Sequence, residues 1–209
     1  MKLKNKINAT LLLGTIASAS LLSVPANADV QSMIVAGGCF WCVESDFEKV
    51  NGVLDVVSGY TGGHTESPSY RQVAAKKTGH FEAVKITFED SVVSLETLSN
   101  YFWKTIDPTD PHGQFCDKGS PYKTAMFYQN TQQKSLFEAS LAHINKTKPF
   151  ADEIVTQLLP ASTFYLAEDY HQDYYTKNPL RYRFYRSSCG RDSRIKTLWG
   201  EIASKSHHN

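Results

Sequence analysis

The sequence predicts an α/β sandwich. Two observations carry this. Short apolar runs of strand length alternate with segments of helical period through the first two thirds of the chain. Residues 29–209 form a stretch long enough for one domain with a proper core, and 41% of the whole chain is hydrophobic. No internal repeat or low-complexity segment interrupts the pattern.

The elements follow in order. Ser32–Ala36 reads as a strand and Trp41–Lys49 as a helix, closed by Asn51-Gly52. Val53–Tyr60 is a second strand, followed by the turn-rich loop TGGHTESPSY. His80–Phe88 is a third strand. Ser94 caps a helix over Leu95–Ile106, where Leu95, Leu98, Phe102 and Ile106 recur at helical spacing. A long polar loop, Asp107–Pro121, has the length of loops that carry function. It leads to a strand at Lys123–Tyr128, a helix at Gln132–Asn145 and a strand at Ile154–Leu158. The Tyr- and Arg-rich remainder reads as mostly irregular, with short helices near Glu168–Tyr175 and Ser193–Gly200.

The stretch Ile34–Glu44, IVAGGCFWCVE, carries the strongest chemical signal. Its order is strand, tight turn, first turn of a helix. A thiol at a helix N-terminus lies near unpaired N–H groups and the positive end of the dipole, which favour thiolate. Cys39 therefore reads as a nucleophile, with Phe40 and Trp41 as an apolar wall. A zinc site would need a second close pair of ligands, and Cys116 and Cys189 are isolated. A structural Cys39–Cys42 disulfide is the plainer alternative, but it gives no reason for Gly-Gly before the pair or two bulky aromatics within it.

Strand parity singles out Glu82. Val84, Ile86 and Phe88 share one face, and Glu82 has the same parity. If the strand includes Glu82, its carboxyl is desolvated and its pKa rises. If the strand begins at Ala83, Glu82 is a solvated loop residue.

Residues 1–28 read as a secretory signal peptide. Lys2, Lys4 and Lys6 are followed by an apolar stretch from Thr10 to Val24 and a small-x-small site at Ala26-Asn27-Ala28. The protein is accordingly expected to be exported, to periplasm or medium, with no membrane attachment after cleavage. The chain carries 22 Lys+Arg against 21 Asp+Glu, and loss of the leader's lysines tips it slightly acidic. Nothing in that balance suits nucleic acid or an anionic membrane. Four cysteines in an exported domain of this size point more to redox chemistry than to scaffold bridges.

At this point the chain resembles the type A peptide methionine sulfoxide reductases, from about Met33 to Gly200. The motifs are GGCFWCVE, SGYTGG, the tyrosine of PSYRQV, TGHFEAV, DPTD, CDKGSPYKTAMFY and AEDYHQDYY. The resemblance implies a ferredoxin-like core with a mixed, mainly antiparallel sheet and a long irregular C-terminal segment. It implies that Cys39 attacks the sulfur of methionine (S)-sulfoxide, free or in proteins, while Glu82 gives a proton to the sulfoxide oxygen. Tyr70 and Tyr122 would donate hydrogen bonds to that oxygen, Asp117 would organise the site, and Phe40 and Trp41 would hold the methyl group. The expected enzyme is a monomer that needs no cofactor or metal.

The chemistry agrees with these roles. Oxide is a very poor leaving group, so protonation during thiolate attack removes the main obstacle. The resulting cysteine sulfenic acid must condense with a second thiol, and an external thiol system resets the disulfide. Cys42, at i+3 from Cys39, and Cys189, in the C-terminal tail, are the two leading candidates for that second thiol, with Cys116 third. Export points to a thioredoxin-like reductant outside the cytoplasm. Glu168-x-x-His171 has a metal-site spacing but no second copy, so His171 reads as structural.

Two other functions compete. A thiol–disulfide oxidoreductase would use Cys39-Phe40-Trp41-Cys42 as its C-x-x-C pair but would leave Glu82, Tyr70 and Tyr122 without a task. A disulfide-stabilised secreted binding domain would need no reactive thiol at all.

Overall fold

A computed structural model of the chain describes residues 29–200. The expected leader and the polar end at His207 and His208 lie outside the described residues.

Eight strands and seven α-helices alternate along these residues. They are β1 (Val30–Gly37), α1 (Phe40–Phe47), β2 (Val53–Thr61), α2 (Tyr70–Ala74), β3 (Phe81–Glu89) and α3 (Leu95–Thr105). There follow β4 (Gly113–Gln114), β5 (Asp117–Lys118), a 3₁₀ turn at Ser120–Tyr122, β6 (Thr124–Tyr128), α4 (Thr131–Thr147) and β7 (Gln157–Pro160). The chain ends in β8 (Tyr165–Leu166), α5 (Tyr174–Lys177), α6 (Pro179–Ser188) and α7 (Arg191–Trp199).

The main sheet has the order β7-β6-β1-β3-β2-β8. All its pairings are antiparallel except β6 with β7. Its centre is β6-β1-β3-β2, formed by two consecutive strand–helix–strand units, β1-α1-β2 and β3-α3-β6. That is the ferredoxin-like arrangement, and the mixed, mainly antiparallel sheet is as expected. A separate two-stranded ribbon, β4-β5, lies within the long loop.

Alternation on the central strands sets the two faces. Met33 and Val35 of β1 join Val84, Ile86 and Phe88 of β3 in the larger core. Val43 and Phe47 of α1, Leu98, Phe102 and Trp103 of α3, and Phe137 and Ile144 of α4 close over them. Each such side chain contributes about 1.5–3 kcal/mol when fully buried. The opposite parity, Ile34, Ala36, Phe81, Ala83 and Phe127, makes a smaller cluster with Leu159 and Phe164.

Caps hold the helix starts. Ser94 Oγ accepts from Thr97 N at 3.1 Å, and Asn130 Oδ1 accepts from Gln133 N at 2.8 Å; such caps are worth about 1 kcal/mol each. The last long strand lies three residues later than its apolar pattern suggested. Val155 N donates to Pro108 O instead of joining the sheet, and pairing with β6 begins at Gln157.

The C-terminal segment is irregular over residues 161–173 apart from β8, then turns helical. The ten-residue α6 was not expected. Its polar side is the buried one: Tyr182 and Arg186 point inward, while Leu180 and Phe184 face solvent. Apolar periodicity therefore misreads it. Pro179 at its first turn was the available signal.

Candidate active site

Gly37 and Gly38 let β1 turn directly into α1. Gly38 has φ +87°, and a Cβ there would lie 2.6 Å from Gln114 Cβ. Gln114 is fully buried, accepting from Asp107 N at 2.9 Å and donating to Asp107 O at 2.7 Å. The DPTD loop is thus clamped against the double glycine. Cys39 follows in the N-cap position of α1, and its carbonyl accepts from Cys42 N at 3.1 Å.

Glu82 enters from β3. Tyr60 of β2 is its register partner, and the parity expectation holds in three dimensions, since Glu82 is 1% exposed. Its Oε2 accepts from Phe40 N at 3.2 Å. Burial pushes the carboxyl up to about 8, against the opposing pull of that one hydrogen bond. At neutral pH Glu82 is mainly an un-ionised acid.

Tyr70 arrives at the start of α2. Ser69-x-x-Gln72 forms a capping box there, with Ser69 N donating to Gln72 Oε1 at 2.8 Å. Glu168 secures the same helix end from afar, accepting from Tyr70 N and from Tyr60 Oη, each at 2.8 Å. His80 steadies the preceding loop, its Nδ1 accepting from Gly63 N at 3.1 Å. Tyr122 comes from the 3₁₀ turn and Asp117 from β5.

These side chains meet in one cavity of about 60 Å³ lined by Cys39, Phe40, Trp41, Tyr70, Glu82, Asp117, Tyr122 and Tyr185. Its small size suits a sulfinyl group with its methyl. Burial raises Tyr70 to about 12 and lifts Tyr122 further, so both phenols stay protonated donors.

Three contributors were not legible beforehand. Tyr185 of α6 donates to Asp117 Oδ2, hydrogen-bonds the Cys39 thiol and meets Trp41 edge-on at 5.7 Å. His171, 1% exposed, accepts from Trp41 Nε1 at 3.0 Å. Burial lowers its pKa, which keeps the imidazole neutral and able to accept. His171 thereby fixes the indole, in keeping with the structural role expected of it. Tyr174 stacks on the other side of Trp41 at 3.6 Å and 6°. AEDYHQDYY marked the region of His171 and Tyr174 without revealing their partners.

The two thiols behave differently from the expectation. Burial pushes Cys39 well above the usual thiol range, and its hydrogen bond to Cys42 and the nearness of Glu82 act in the same direction. Cys42 is lowered, first by that hydrogen bond and then by Arg191 and Arg186, against its own burial. The end of an eight-residue helix supplies about 0.3–1 kcal/mol, and burial outweighs it. In the resting site Cys39 is a protonated thiol. Behind Cys42, buried Asp46 accepts from Arg186 at 2.7 Å, and Arg186 also binds Asp192.

Cys39 and Cys42 are both free, whereas Cys116 and Cys189 form a disulfide across 73 residues of sequence. The bridge ties the residue before Asp117 to the end of α6, one turn beyond Tyr185. Cys189, one of the two leading candidate partners for Cys39, is thus held by Cys116.

The family model described as peptide methionine sulfoxide reductase matches residues 31–203. The peptide methionine sulfoxide reductase MsrA of Bacillus subtilis is 52% identical over 165 residues, 79% of this chain and 93% of that one. Among solved structures, reduced Mxr1 from Saccharomyces cerevisiae matches with a TM-score of 0.68 at 29% identity, covering 73% of this chain and 87% of that chain. Methionine sulfoxide reductase A of Corynebacterium diphtheriae matches with a TM-score of 0.64 at 27% identity, covering 75% and 79%.

Proposed function

The chain belongs to the peptide methionine sulfoxide reductase family, it has peptide-methionine (S)-S-oxide reductase activity, and we propose from that premise how its own residues carry the reaction. The supporting observation is the pairing of the Cys39 thiol with a buried, un-ionised Glu82 in a cavity the size of a methyl sulfinyl group.

The methyl group lies against Phe40 and Trp41, where apolar rings suit it. The oxygen points to Glu82, Tyr70 and Tyr122. Cys39 loses its thiol proton to solvent and its sulfur attacks the sulfoxide sulfur while Glu82 protonates the sulfoxide oxygen. The hydroxide released from the substrate sulfur bonds to the Cys39 sulfur as the sulfur–sulfur bond breaks, the methyl sulfide leaves, Cys39 becomes a sulfenic acid, and Glu82 regains a proton from solvent. Asp117 and Tyr185 orient this centre from the side of α6.

Cys42, beside the sulfenic acid, is the proposed resolver. It attacks the Cys39 sulfur, water leaves, and a Cys39–Cys42 disulfide forms. Two thiols have then been oxidised and one sulfoxide reduced. The support is contact: Cys42 is free and hydrogen-bonded to Cys39, whereas resolution by Cys189 first requires the Cys116 bridge to open. A thioredoxin-like protein thiol returns the pair to its reduced state by exchange.

Export is part of the proposal. Residues 1–28 are the leader, residues 29–209 the mature catalytic domain, acting as a monomer, and its clients are oxidised proteins outside the cytoplasm. The Cys116–Cys189 bridge fits an oxidising compartment. The N-terminal residue of mature protein recovered from the producing cells tests this, with Asp29 expected.

Mass spectrometry after one turnover with excess sulfoxide and no reductant tests the chemistry. A new Cys39–Cys42 bridge beside an intact Cys116–Cys189 bridge is expected. A Cys39–Cys189 bridge would overturn the assignment of Cys42.

A further inference from the structure

Next to the catalytic cavity the surface opens into a groove of about 560 Å³, lined by Trp41, Tyr174, Leu180, Arg181, Phe184 and Tyr185. Trp41 and Tyr185 wall both spaces. The groove therefore adjoins the place where the sulfoxide is reduced.

Its outer wall is unusual. Leu180 and Phe184 are 73% and 75% exposed, the highest values for large apolar side chains among the described residues. Standing four apart on α6, they share one face and make a single apolar ridge. The inner wall is firm, because Trp41 is stacked on Tyr174 and hydrogen-bonded to His171. The only charged side chain in the lining is Arg181.

The size of the catalytic cavity decides what the groove is for. The catalytic cavity, about 60 Å³, is much smaller than the groove, about 560 Å³, and takes the reacting end of the substrate. Everything attached to that end must leave across the rim, and Trp41 and Tyr185 are shared between rim and groove. An extended chain advances about 3.3 Å per residue, so a residue one or two positions from the oxidised methionine comes over the groove. An apolar side chain there would cover Leu180 and Phe184. Free methionine sulfoxide has no neighbouring residue and cannot use it.

We infer that this groove is a second substrate subsite, which takes an apolar side chain adjacent to methionine sulfoxide in an extended, unfolded polypeptide. The inference rests on the reading of the Cys39 cavity as the site of reduction. It makes the enzyme selective for oxidised methionines that lie in apolar sequence, the kind that a folded protein buries and damage exposes.

The test uses the full protein with dithiothreitol as reductant, so that no protein reductant takes part. Values of kcat/KM are measured for free methionine sulfoxide and for two short peptides that differ only in Phe or Ala beside the oxidised methionine. Wild type is expected to prefer the Phe peptide by about 10-fold, the lower end of what an apolar pocket discriminates. A Leu180→Ser/Phe184→Ser double variant should lose that preference and keep its rate on free methionine sulfoxide within about twofold. Both positions face solvent, so folding is preserved, and an unchanged thermal melt verifies it. Equal rates on the two peptides in wild type would overturn the inference, as would an equal loss on free and peptide substrates. A variant slowed only when a thioredoxin-like protein replaces dithiothreitol would assign the groove to the reductant instead. Failure of wild type to reduce any of the three substrates would reject the underlying reading of the cavity.

Discussion

Replacing Glu82 with Gln should make the protein more stable and nearly inactive at the same time. The carboxyl is 1% exposed and raised from 4.5 to about 8 by burial. In the unfolded chain it ionises near 4.5; in the fold it keeps its proton. At pH 7 the folded state therefore binds a proton that the unfolded state has released, so stability falls as pH rises between these two values. At 1.36 kcal/mol per unit, the 2.5 units from 4.5 to 7 cost about 3 kcal/mol, and the full interval to 8 about 5 kcal/mol. Gln has nearly the same shape, still accepts from Phe40 N, and does not ionise. Urea denaturation of both proteins at pH 5, 6, 7 and 8 measures the difference directly. Glu44, raised to about 7, is common to both and cancels. The variant should gain little at pH 5 and about 3 kcal/mol at pH 7. Its sulfoxide turnover should fall by about 10²–10⁴-fold, because the oxygen loses its proton donor, while wild-type activity should itself decline as pH passes about 8. A stability difference that stays flat from pH 5 to 8, or a variant that retains turnover within about tenfold, would refute the claim that a buried neutral acid drives the reaction.

Tyr185→Phe removes the hydroxyl shared by Asp117 and the Cys39 thiol. A fall of about tenfold in kcat is expected, on the scale of a lost hydrogen bond to a charged group, with the melting temperature little changed; steady-state kinetics and a thermal scan check the two halves. Removing the Cys116–Cys189 bridge with a double Ser variant should cost about 4 kcal/mol in denaturant titration, as expected for a closed loop of this length. Asp46→Ala leaves Arg186 and Arg191 with reduced compensation in a buried site. It should cost about 3–5 kcal/mol by denaturant titration and lower the Cys42 pKa, because the Asp46 charge opposes the thiolate there, read from the pH dependence of its alkylation.

The parts of the site that were readable in advance rest on local rules. Alternation along a single strand put Glu82 on the apolar face provided the strand reached it, since side chains two apart share a face, and the structure shows that it does. The placement of Cys39 followed from an apolar strand, two glycines and the start of a helix. The capping box that delivers Tyr70 was present as Ser69-x-x-Gln72 but was not recognised as a helix start. Tyr185 and His171 gave no such local signal. Their partners lie 68 and 130 residues away, and α6 buries its polar side, opposite to the rule that apolar periodicity follows.

Sequence by itself determined the family and the order of the four central strands with helices α1, α3 and α4, and it pointed to Cys39 and Glu82 as the proposed nucleophile and acid, because period, caps and turn chemistry act between neighbours in the chain. Tertiary structure alone decided that Cys116 pairs with Cys189, that Trp41 is locked by His171 and Tyr174, and that the pKa of Cys39 is raised while that of Cys42 is lowered. Those outcomes depend on desolvation and on charges brought together from distant segments, and neither exists until the chain has folded.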